Sequence, residues 1–261
     1  MSSNAKELGA PCALTPLAAP AKLRALRPTL ALASSRPVDL TQLLLAAPVL
    51  LFSLVAHEYA HGYAALRQGD ATAYQLGRLT WNPAKHIDPF MTVILPVMLA
   101  LAGGPIFGGA KPVPIEPRNF RRYKRGDIIV SLAGVATNLA LAPVCAVLVI
   151  VIGVLGQQVP ALAPSLAIVQ TMMAYGVLIN LILAVFNLLP LPPLDGSRVF
   201  KYLLPLAWAI RYQQIGQYGF LLLFALLYLG GGLLMRWLSP AYLLYQTAMR
   251  AVAPFLLPSS L

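Results

Sequence analysis

Charge is scarce in this chain. Its 261 residues include eight Asp and Glu and three His, and charged residues of both signs make up 10% of the total. A water-soluble domain carries about 25%. With 59% hydrophobic residues and a mean hydropathy of +0.74, the sequence excludes a soluble globular domain and describes an integral membrane protein. Its apolar runs are too many and too long for a signal peptide followed by a soluble domain. Cysteine is almost absent too. Cys12 lies in an N-terminal tail and Cys145 inside an apolar run, which suits a buried structural Cys145 and neither a disulfide nor a cysteine metal site. The glycine-rich run 103–109 lacks the lysine of a phosphate-binding loop, which argues against a nucleotide site. The shortage of acids leaves a net charge of +11. The basic residues cluster between apolar runs, the pattern of loops facing a cytoplasm and anionic lipid, so the lipid bilayer and not a nucleic acid is the implied partner.

Residues 1–37 are rich in Ala, Pro, Leu and Ser without a sustained apolar run, and are expected to form a disordered tail. Residues 38–261 then read as one membrane-embedded domain. A first apolar segment over 39–66 would be about 42 Å long as a helix, enough to cross a bilayer and emerge. The polar stretch 67–88 suits an irregular loop or short β-hairpin. Residues 89–110 are apolar but interrupted by Pro96, Gly103, Gly104, Pro105, Gly108 and Gly109, and the most basic stretch, KPVPIEPRNFRRYKRGD, follows at 111–127. Spans are expected over 128–154 and 166–189. A helix break at LPLPPLDGSR (189–198), a short amphipathic stretch, and apolar runs over 216–235 and 240–257 complete the chain. The fold class expected is an all-α polytopic membrane protein of five to six apolar helices, one of them re-entrant.

The first apolar segment contains LLFSLVAHEYAHGYAALRQG, residues 51–70. On a helix, the HExxH pattern puts His57 and His61 one turn apart on one face, where both imidazoles reach one zinc ion, and sets Glu58 beside them to activate water. A chance match is the bland alternative. Against it, three ionisable groups in an apolar helix each cost roughly 2–3 kcal/mol in lipid unless paired, and a buried metal is the simplest compensation. Such a site needs a third protein ligand. Asp195, the one acidic residue after Asp127, follows a span and a proline-rich break; alone it would read as a turn residue before Gly196, and beside HEYAH it reads as the ligand.

HEYAH together with NLLPLPPLDG resembles the site-2 protease family of intramembrane zinc metalloproteases, in particular the small bacterial and archaeal members without a PDZ domain. The resemblance covers roughly 40–200. It implies that His57, His61 and Asp195 bind one zinc ion and that Glu58 is the general base. SLAGVATNL (131–139) resembles a third family element and suggests Asn138 as a polar contact to substrate or oxyanion, although Gly134-Val135 stands where a Gly-Pro is usual. GGAKPVPIEPRNFR resembles a substrate-contacting loop in which Glu116 replaces a common Asn. The implied activity is zinc endopeptidase cleavage of transmembrane protein substrates in or near their membrane segments, within regulated intramembrane proteolysis.

Other polar residues have plain readings beside functional ones. His86 suits a group near the site or an interfacial loop histidine, Asn187 a partner for the unwound backbone near Pro190 or an interhelical contact, and Tyr59 and Tyr63 packing. Two rival functions remain: a metal transporter, which should spread ligands along a path, and a catalytically inactive metal-binding scaffold, which should have lost the Glu or a ligand. Positive-inside bias sets the active-site side toward the cytoplasm of a bacterial-type inner membrane, because 111–127 and the residues after Asp195 are basic while 155–165 carries no charge. The helix that carries HEYAH must then end on that side, so 89–110 should enter and return, bending near Pro96 or Gly103–Pro105; a continuous 89–110 span with a mid-membrane zinc is the competing arrangement.

Overall fold

The computed structural model describes residues 40–101 and 108–258; the proposed tail 1–37 lies outside them. Among the described residues the structure is helical, without strands. Long apolar runs dictate this, since a backbone in lipid must satisfy its hydrogen bonds within itself. The helices are α1 (Leu40–Gln68), α2 (Leu95–Leu101), α3 (Tyr123–Gln158), α4 (Ala163–Asn187), α5 (Asp195–Phe200), α6 (Leu206–Ile215), α7 (Gly219–Leu229) and α8 (Gly231–Val252). Three of them, α1, α3 and α4 with its leading turn, are long and apolar enough to cross a membrane. A fourth span is possible if the α6–α7 stretch and α8, bent by 90°, count as one.

Helices α3 and α4 pack along their lengths, α1 lies against both, and α8 covers α4. Their shared core joins Ala142, Cys145 and Val149 of α3 to Ala174, Val177, Leu178 and Leu181 of α4 and Ala241, Tyr245 and Met249 of α8. Small residues allow the close approach. A Cβ on Gly176 would sit 2.7 Å from Cys145 Sγ, which fits the expected buried structural role of that cysteine. The late break falls at Gly230, ahead of the expected interval 235–240. Three consecutive glycines, 230–232, make helix costly there, whereas Pro240 is accommodated inside α8.

The stretch 67–88 forms an irregular loop with single helical turns at Thr72–Gln75 and Pro83–Lys85, so of the two expected forms the hairpin is absent. The segment that follows returns to where it leaves. Lys111 N donates to His86 O at 2.7 Å, Gly109 N to Met91 O at 3.1 Å, and Thr92 Oγ1 to Gly109 O at 2.7 Å. A full crossing would part these flanks by about 30 Å, so the described flanks meet as the expected re-entrant segment requires. Pro96 stays inside the helical stretch, near the start of α2; the other expected bend, Gly103–Pro105, lies outside the described residues.

Asp70 ties this loop system to the end of α1. It is fully buried and accepts from Thr72 N (3.1 Å), Thr72 Oγ1, Asn119 Nδ2 (2.9 Å) and Glu116 N (2.8 Å). Burial alone would raise its carboxyl, but these bonds outweigh burial and hold it below the ordinary aspartate range. A depressed native value stabilises the fold above the unfolded value and is lost as pH falls through the native one. Asp70→Asn, which sets an amide N–H against a donor, is expected to cost about 1–3 kcal/mol at pH 7. The difference from wild type, followed by urea unfolding in detergent, should hold steady above pH ~4 and shrink below it.

Candidate metal centre

Helix α1 carries His57 and His61 at its buried face, 6% and 7% exposed. Asp195 opens α5 after the proline-rich break, where Gly196 packs so tightly that a Cβ on it would lie 2.3 Å from Leu188 O. A second tie fixes this segment to the start of α3: Asp127 Oδ2 accepts from Lys201 Nζ at 2.6 Å and from Tyr202 OH at 2.8 Å. The result is a triangle of donor atoms. His57 Nε2 and His61 Nε2 are 3.0 Å apart, and Asp195 Oδ2 is 3.1 and 3.2 Å from them. Among the described residues this is the one group of His, Cys, Asp and Glu with metal-ligand spacing.

The hydrogen-bond network fixes which ring nitrogens carry protons. His61 Nδ1 lies 2.7 Å from Val130 O, and a carbonyl only accepts, so Nδ1 is the protonated nitrogen. For His57 the polarity runs through a buried chain. Asn180 Nδ2 donates to Gly176 O (2.9 Å) and to Ser53 Oγ (3.0 Å), which itself donates to Val49 O. Asn180 Oδ1 therefore accepts from Asn138 Nδ2 at 2.8 Å, and Asn138 Oδ1 accepts from His57 Nδ1 at 2.5 Å. With Nδ1 as the donor in each ring, the neutral form of either histidine presents its Nε2 lone pair toward the Asp195 carboxylate. Three converging acceptors repel one another unless a cation lies among them. Tetrahedral zinc with bonds of about 2.0–2.1 Å separates its donors by about 3.3 Å, so the triangle fits zinc, and imidazoles held through Nδ1 are the usual support of such sites.

Glu58 does not join the triangle; its Oε2 accepts from Val113 N at 2.8 Å. Asn138 is fully buried and orients His57. Its oxygen is bonded to a histidine ring and one of its two amide N–H groups to Asn180, a supporting position beside the polar contact to substrate or oxyanion expected of it. Asn187 bonds Leu183 O in its own helix, not the broken backbone near Pro190. His86 is buried in its loop against Thr80 O, and Glu116 caps the turn at Arg118; neither is in the cluster. Tyr59 stacks on Trp81 and Tyr63, the expected packing. Asn180 and Ser53 were missed, although polar residues inside an apolar span are the signal that would have found them.

The model of peptidase family M50 matches residues 45–229, a stretch that contains every residue of the triangle, Glu58 and Asn138. The chain belongs to peptidase family M50. This bears out the resemblance carried by HEYAH and NLLPLPPLDG. Curated relatives carry provisional zinc metalloprotease names. YwhC of Bacillus subtilis is 38% identical over 177 residues, covering 68% of this chain and 77% of that protein. Rip2 of Mycolicibacterium smegmatis is 32% identical over 177 residues, covering 68% and 64%. MJ0611 of Methanocaldococcus jannaschii is 30% identical over 169 residues, covering 62% and 75%. No solved structure gives a significant match.

One position of this M50 chain isolates the space in front of the ligands. A Cβ on Gly134 would lie 2.5 Å from His57 Nε2 and 2.6 Å from His61 Nε2, so the glycine leaves open the volume that a methyl would fill. Gly134→Ala is expected to lower zinc affinity at least about 10-fold, the scale on which disturbance of a metal site is felt. Competition with a chromogenic chelator measures it, with helicity by circular dichroism unchanged.

Proposed function

We infer that the protein is an intramembrane zinc endopeptidase that cuts membrane proteins in or near their transmembrane segments. The observation that carries this is the convergence of two Nε2 atoms and Asp195 Oδ2 within 3.2 Å, with Glu58 next to His57 on the same helix. His57, His61 and Asp195 hold the ion. Zinc bound there supplies Lewis-acid chemistry, making water acidic enough to ionise near pH ~7 and polarising a scissile carbonyl. Glu58 takes the proton of the attacking water and passes it to the leaving amine. Asn138 keeps His57 in the tautomer that presents Nε2. A substrate helix hides its carbonyls in internal hydrogen bonds, so it must unwind locally before Glu58 can act on it.

A transporter needs ligands in series, and among the described residues there is one compact group; an inactive scaffold has no need of Glu58. Glu58→Gln should keep one zinc per chain and abolish cleavage of a model transmembrane substrate, while His57→Ala and Asp195→Ala should lose the metal. Full zinc in either alanine variant would sink the assignment, and cleavage by Glu58→Gln would remove the base.

The active site is proposed to open toward the cytoplasm. The end of α1 and the approach to α3 meet directly, since Arg121 N donates to Gln68 O at 2.8 Å. The side they share carries Arg67, Arg78, Lys85, Lys111, Arg118, Arg121, Arg122, Lys124 and Arg125, and the α3–α4 turn at the far end carries no charge. Cysteines introduced at Gln75 and Arg121 should both be modified by an impermeant maleimide only from the cytoplasmic face of oriented vesicles. Labelling from opposite faces would refute this topology.

A further inference from the structure

Glu58 Oε2 is bound by a backbone N–H from a distant loop, Val113 N at 2.8 Å. Val113 stands between Pro112 and Pro114. Proline has no N–H and a fixed φ, so the stretch 112–114 offers a single backbone donor on a stiff, extended segment, and that donor meets Glu58. The loop is pinned on both sides of it. Lys111 N is held by His86 O at 2.7 Å, Arg78 Nη2 reaches Lys111 O and Pro112 O at 3.1 and 3.3 Å, and Glu116 N is held by the buried Asp70 at 2.8 Å. The Val113 side chain is 5% exposed and lies against Gly62, where an added Cβ would come within 3.0 Å of Val113 Cγ1. Gly62 follows the metal ligand His61 directly, so the donor is located with respect to the HEYAH helix by packing as well as by hydrogen bonds.

We propose that the Val113 N–H is a positioning element for the base: it fixes Oε2 and leaves Oε1 to take the proton of the attacking water. A glutamate has three side-chain torsions, and a carboxylate at membrane depth needs a donor. One rigid amide supplies the donor and selects the rotamer, while the flanking prolines remove every competing N–H from the stretch. The proposal rests on the reading of Glu58 as general base.

The clean test replaces Val113 by its α-hydroxy acid analogue in the full-length protein, which removes the N–H and keeps the side chain. Val113→Pro removes the same donor by ordinary mutagenesis, and Val113→Ala keeps it while losing packing on Gly62. With zinc-loaded protein in nanodiscs and a model transmembrane substrate, the ester and Val113→Pro should show kcat about 10- to 100-fold below that of Val113→Ala, the scale expected for a misplaced catalytic group. KM and zinc content should not change. A second measurement needs neither turnover nor metal. In zinc-free, 15N-valine protein the Val113 amide proton should resonate far downfield and move upfield in Glu58→Gln. Equal kcat for the ester and Val113→Ala, loss of zinc from the ester, or an amide resonance blind to Glu58→Gln would each overturn the proposal. Cleavage by Glu58→Gln itself would instead defeat the reading of Glu58 as base, so the two failures are distinguishable.

Discussion

Three electron-rich atoms, two imidazole nitrogens and one carboxylate oxygen, lie within 3.2 Å of one another inside an apolar bundle, and the rest of the structure is arranged around that condition. In lipid no water screens them. The cluster is tolerable only with positive charge, a metal ion or a proton, between the donors and with every other polar atom of the two rings already bonded. Helix α3 meets the second requirement twice, with Val130 O on His61 and Asn138 on His57. Helix α4 extends the support through Asn180 to Ser53 of α1. The three spans that bury the site are thus also joined by the bonds that orient it, so packing and chemistry cannot be altered separately here.

The loops carry a similar logic at the membrane edge. Buried Asp70 gathers amides from 72, 116 and 119, and Asp127 pairs with Lys201 and Tyr202. One carboxylate thereby anchors the loop that reaches Glu58, and the other anchors the segment that presents Asp195. With only eight acids in the chain, each of these four contributes to holding or surrounding a single site. The re-entrant segment fits the same scheme. Its flanks are hydrogen bonded to each other, so it can bring residues 111–113 beside α1 without crossing the bilayer and separating them from it.

Much of this was legible in the sequence. Runs of apolar residues fix helices because lipid offers the backbone no other partners, and the spacing of His57, Glu58 and His61 fixes a shared helical face. Scarcity made Asp195 stand out. Element ends were less legible: a glycine triplet and an internal proline both weaken a helix, and only packing decided that α8 would run through Pro240 and break at Gly230.

What the sequence alone determined was local: helices, the i, i+4 pair, the proline-rich break before Asp195, and the basic side of the membrane. The tertiary structure decided which groups meet across 42 to 138 residues of chain. Asn138 faces a histidine ring because Asn180 already holds its amide, His61 is held by Val130 O of another helix, and Glu58 finds its donor in a proline-flanked valine. No spacing rule encodes such pairings, since hydrogen-bond direction depends on where buried carbonyls such as Gly176 O and Val130 O come to rest once the helices pack.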